Sequence, residues 1–72
     1  MVNIDKLKGK MVEKRLTVET LSEKMGMHQT TLYRRINGNG LDFTIGEVNK
    51  IVASLELTNE EATEIFFAPD VA

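Results

Sequence analysis

The chain contains no cysteine, which excludes a disulfide framework and any thiolate metal site. It contains one histidine, His28, and a single imidazole cannot assemble a metal site alone. No metal and no cofactor is therefore expected. Long apolar runs are also missing. The longest extend three or four residues, where a membrane-spanning helix needs about 20. No charged-then-apolar signal opens the sequence, because Met1 leads straight into polar, helix-like residues. The expected location is the cytoplasm. Equally missing is a set of groups suited to catalysis. The adjacent carboxylates Glu60 and Glu61 suit a helix start, where the dipole favours acids, and neither a base nor an oxyanion donor set accompanies them. Gly38-Asn39-Gly40 is too short to cradle a phosphate. The chain is not expected to be an enzyme.

What is present is a sequence of 72 residues, 42% apolar and 28% charged, ordinary proportions for a soluble globular protein. That length suits a single domain over residues 1–72, near the lower size at which a core without staples holds a fold. Nearly all large apolar residues must then be buried. The net charge is −2, and an acidic total speaks against a nucleic-acid partner. The distribution reverses that reading. Residues 1–50 carry all nine basic residues against six acids, a balance of +3, while residues 51–72 carry five acids and no base, a balance of −5. Only the field near a docking face matters for DNA. Chance segregation of solvated surface charge is the plainer account of the same pattern.

Apolar residues recur at helical spacing throughout, and no stretch alternates as a half-buried strand would. Asn3 can cap a first helix with Ile4, Leu7 and Met11 on one stripe. Gly9 inside it costs on the order of 1 kcal/mol against alanine. Thr17 suits the N-cap of a second helix with Leu21 and Met25 inward, and Gly26 suits its C-cap. A third helix begins after Met27, places Leu32 and Ile36 on one face, and ends at Asn37-Gly38-Asn39-Gly40. Thr44 to Glu47 and Thr58 to Glu61 are capping boxes. They open a fourth helix facing inward with Val48, Ile51, Val52 and Leu55, and a fifth with Ala62, Ile65 and Phe66. Pro69 marks the end of the last helix. The expected fold is all-α, a compact bundle of five short helices.

Within it, two helices meet across a tight turn at Gly26. Leu21, Met25, Met27, Leu32 and Ile36 would fix their crossing, and Ser22 is small where the helices approach. That is the physical logic of a helix-turn-helix over about residues 17–38, which presents its second helix, at about Gln29 to Asn37, to the major groove. The sequence resembles the phage repressor and Cro (XRE-type) helix-turn-helix family. The matching features are Leu16-Thr17, LSEKMGM at 21–27, TTLYRRING at 30–38 and FTIGEVNKIVASLELT at 43–58. The closing TNEEATEIFF at 58–67 is similar to the end of small regulators from phages of low-GC Gram-positive bacteria. Two positions depart from the family pattern. Val18 stands where many members have a glutamine that bonds DNA phosphate, and His28 stands where a serine or threonine usually caps the reading helix.

The resemblance implies a lambda-repressor-like DNA-binding domain and roles for particular residues. Gln29, Thr30 and Arg34 are candidates for base edges: glutamine pairs with adenine, a threonine methyl meets a thymine methyl, and arginine forks onto guanine. Gln29 and Thr30 are equally explicable as solvated first-turn positions, and Arg34 as a phosphate contact. Thr17, His28, Thr31, Arg35, Asn37 and Asn39 are candidates for the DNA backbone. Tyr33 is another, reaching a sugar or phosphate, unless its ring packs over the fourth helix. Phe66 and Phe67 point about 100° apart on a helix, so one can be core and the other not. Phe67 and Val71 are candidates for a dimer or partner contact.

The implied function is sequence-specific binding of double-stranded operator DNA by a transcriptional regulator, acting as a homodimer. A Cro-like or lysogeny-switch protein is expected, because the chain ends before the second, oligomerising domain of a full-length repressor. The alternative is an antirepressor that binds a phage repressor through the same fold and blocks its operator contacts. Net acidity, Val18 and the apolar tail favour it.

Overall fold

The computed structural model describes residues 2–67, and these form five α-helices. In chain order they are α1 (Ile4–Glu13), α2 (Val18–Met25), α3 (Gln29–Asn37), α4 (Ile45–Leu55) and α5 (Asn59–Phe66). Each begins where the sequence supplies a side-chain acceptor. Asn3 accepts from the Lys6 amide at 3.1 Å. Thr17, Thr44 and Thr58 each close a reciprocal capping box, with Thr20, Glu47 and Glu61 respectively. The first of these uses a threonine hydroxyl in place of the usual carboxylate, which is why its spacing pattern is inconspicuous.

The helix ends follow one scheme. A residue with positive φ stands after α1 (Arg15, φ 59°), α2 (Gly26, φ 69°), α3 (Asn39, φ 60°) and α4 (Glu56, φ 52°). The next amide then bonds back into the helix: Leu16 to Met11 O, Met27 to Ser22 O, Gly40 to Arg35 O and Leu57 to Val52 O. These are Schellman closures, and in three of the four the following residue is apolar and packs down. Pro69 and Val71 lie outside the described residues.

One core joins all five helices. Leu7, Met11, Leu21, Met25, Leu32, Ile36, Ile51, Leu55, Ile65 and Phe66 are buried. Helix α2 packs against α3 and α4, and α1 packs against α5. Phe43, in the loop before α4, meets Phe66 edge to face at 6.3 Å between ring centroids. That contact, with the Asn3 amide bonded to Ile65 O, draws the α3–α4 loop, the N-terminal residues and the end of α5 to one end of the molecule. Gly40 is buried there against the Val2 side chain.

Candidate nucleic-acid interface

Helices α2 and α3 are joined by Gly26-Met27-His28. The left-handed backbone at Gly26 turns the chain sharply. Leu21 and Met25 on α2 then meet Leu32 and Ile36 on α3, all buried. Ser22 is the one buried polar residue among the described residues, 2% exposed. Its hydroxyl donates to Glu19 O at 2.7 Å, so burial leaves no orphaned group. The apolar half of α3 is fixed by this packing, and the opposite half faces outward.

That outward half carries Gln29, Thr30, Tyr33, Arg34 and Asn37, all exposed and all lining one shallow depression. Four-residue spacing explains the grouping: Gln29, Tyr33 and Asn37 form one row, and Thr30 and Arg34 the next. The three sequence candidates for base edges therefore share a face, and Tyr33 lies on it with them. Tyr33 is 57% exposed, so its ring is not packed away over α4. At the start of the helix, His28 Nδ1 accepts from the Thr30 amide at 3.2 Å. An imidazole does this only with Nδ1 unprotonated; an acceptor ring nitrogen thus replaces the usual hydroxyl cap.

The remaining candidates are more scattered. Thr17 is exposed at the N-terminus of α2, and Asn39 is exposed in the turn after α3. Thr31 is half-buried. Arg35 points elsewhere. Its Nε and Nη2 donate to Glu47 Oε1 and Oε2 at 3.2 and 3.3 Å, a two-pronged pair that ties α3 to the first turn of α4. The pairing raises the Arg35 guanidinium above its ordinary value. Burial works against the Glu47 carboxylate, but the bonds from Arg35 and from the Thr44 amide outweigh it and hold its pKa below the usual glutamate value. Sequence spacing does not identify Glu47 as this partner, because the contact joins separate helices. Phe67 is 66% exposed and Phe66 is buried.

Two lysines of α1 are engaged away from this face. Lys6 meets Glu64 at 3.2 Å, while Lys10 meets Glu13 at 2.9 Å and also Glu61. The acidic last helix thus engages lysines of α1. Arg34 is the one charged residue on the outward face of α3, and no acid shares that face with it.

A buried crossing, a left-handed turn and an exposed second helix of polar and basic residues define a helix-turn-helix. This chain belongs to the Cro/C1-type HTH DNA-binding domain family. Residues 6–66 match that family, which takes in all of α2 to α5 and most of α1. No curated protein and no solved structure matches the chain. As a Cro/C1-type HTH domain it is a DNA-binding regulator, and α3 is the helix that such a domain offers to the major groove. Among the described residues no helix is long and apolar enough to cross a membrane.

Proposed function

We propose that this Cro/C1-type HTH protein is a sequence-specific transcriptional regulator of the Cro or lysogeny-switch kind, reading operator DNA with α3. The observation that carries the reading is the grouping of Gln29, Thr30, Tyr33, Arg34 and Asn37 on one exposed, acid-free helix face. Gln29, Thr30 and Arg34 read base edges. Thr17, His28, Thr31, Asn37 and Asn39 hold the backbone, as does Tyr33 through its hydroxyl. Arg35 joins them through the guanidinium nitrogen that Glu47 leaves free. The protein acts as a homodimer on two-fold half-sites. Phe67 contributes to the dimer contact, together with Val71 from outside the described residues. Leu41 and Ile45 are further exposed apolar side chains, at 75% and 81%.

These exposed apolar side chains support a second reading, in which the protein is an antirepressor that covers the operator-binding face of a phage repressor. Leu41, Ile45 and Phe67 would then meet that partner. A gel shift on the neighbouring operator, with and without the co-expressed neighbouring repressor, separates the two. Regulator function requires a shift by this protein alone at low salt. No shift alone, together with loss of the repressor's own shift, establishes the antirepressor.

A further inference from the structure

We infer that Tyr33 is a base-reading residue that recognises a thymine through its 5-methyl group. The inference rests on the duplex-reading function proposed above and names one base that the reading selects. Tyr33 occupies the middle of the Gln29–Tyr33–Asn37 row, four residues from each neighbour, on the face those residues share with Thr30 and Arg34. Any docking that brings Gln29 and Arg34 to base edges brings the Tyr33 ring to the same depth. Tyr33 is 57% exposed and its hydroxyl makes no hydrogen bond among the described residues, so more than half of its surface is available. Gln29, Arg34 and Asn37 end in polar groups on short or flexible aliphatic stems, and Thr30 offers a single methyl. The flank of the Tyr33 ring is therefore the main apolar surface on the face.

The major groove of B-DNA presents hydrogen-bonding atoms at every base pair and a single apolar group, the thymine methyl. An aromatic flank in that groove cannot satisfy a base donor or acceptor, and burying one against the ring costs affinity. Contact with a thymine methyl removes apolar surface from water on both sides instead. The ring brings little entropic penalty, since only two side-chain torsions are fixed. The phenolic hydroxyl at the tip remains free to donate to a flanking phosphate, so the methyl contact and a backbone contact are compatible.

The test begins with selection of bound sequences from a randomised duplex library by the full chain. Each thymine in the selected site is then replaced singly by deoxyuridine, which deletes only the 5-methyl group. The expected result is a position in each half-site at which wild-type affinity falls about fourfold, the equivalent of one buried methyl group, and at which Thr30→Ser leaves that loss in place, which sets it apart from a thymine met by the Thr30 methyl. Tyr33→Phe keeps that sensitivity. Tyr33→Ala and Tyr33→Gln lose it, binding thymine and uracil alike at that position. Helical circular dichroism establishes that both variants are folded, and two unrelated substitutions keep the comparison if one of them is not. Uniform wild-type binding to every uracil duplex overturns the assignment, as does a Tyr33→Ala variant that retains the methyl sensitivity at every position where the wild type shows it. A library from which no sequence is enriched overturns the duplex-reading function itself, and this assignment with it.

Discussion

At the scale of single residues, the structure separates glycines that a sequence pattern treats alike. Gly26 and Gly40 both have positive φ, 69° and 73°. A Cβ at Gly26 would meet nothing within 4 Å, whereas one at Gly40 would lie 2.7 Å from Val2 Cβ. Gly26→Ala should therefore cost only the left-handed penalty, about 1–2 kcal/mol. Gly40→Ala should cost that and an overpacking penalty of about 1–3 kcal/mol. Thermal and urea unfolding measure both, and in a Val2→Gly background the Gly40→Ala cost should fall to that of Gly26→Ala. Gly9 is the opposite case. It lies inside α1 with open space around its missing Cβ, so Gly9→Ala should stabilise by about 0.5–1 kcal/mol. Arg15 and Glu56 adopt the left-handed region without being glycine. Sequence reading cannot find them, because the usual marker residue is absent. The signal that was present is the apolar residue that follows each, Leu16 and Leu57, which packs against the core.

At the scale of helices, the capping boxes were legible and their second use was not. Thr44 to Glu47 and Thr58 to Glu61 are recognisable from spacing alone, and both form. Each glutamate also holds a basic residue from another helix: Glu47 holds Arg35 of α3, and Glu61 holds Lys10 of α1. These contacts join residues far apart in the chain, which no local pattern encodes. They carry a pH signature. The bond from Lys10, and then the Thr58 amide, lower the Glu61 pKa to about 2 from the ordinary 4.5. A carboxyl depressed on folding stabilises the folded state above its ordinary value and loses that contribution as pH falls through the folded one. The unfolding midpoint should thus decline between about pH 5 and pH 2. Glu61→Gln can keep the cap, since glutamine also serves in a capping box, but it loses the ionic partner. Its midpoint should be lower near pH 7 and should fall less in acid, as calorimetry across that range will show. An equally steep decline in the variant would place the acid sensitivity elsewhere.

For the whole molecule, the five helices and the core were readable because apolar period, caps and turns all pointed to the same fold. Where the candidate residues lie on the surface was only partly readable. Gln29, Thr30 and Arg34 are grouped as the spacing predicts, whereas Tyr33 could be placed only once the packing of α4 was known, and Arg35 only once Glu47 was found. The net charge of −2 is the least informative number in the sequence, because pairing decides which charges remain available. Lys6 and Arg34 are both exposed cations. Lys6 already faces Glu64 at 3.2 Å, on the α1–α5 side, while Arg34 stands without an ion-pair partner among the described residues on the outward face of α3. Fields at the surface are screened over about 8–10 Å in ordinary salt, so a duplex docked on α3 should sense Arg34 and not the Lys6–Glu64 pair. Lys6→Gln should leave affinity and its salt dependence nearly unchanged. Arg34→Ala should cost about 1–3 kcal/mol with relaxed sequence preference if its fork reaches a guanine, or weaken all sequences evenly and reduce the salt slope by about one unit if it reaches a phosphate. Fluorescence anisotropy on specific and scrambled duplexes from 50 to 200 mM salt, a range of order that resolves such slopes, distinguishes these outcomes. A loss on Lys6→Gln as large as that on Arg34→Ala would mean that the duplex docks on the α1–α5 side, and that α3 is not the reading helix.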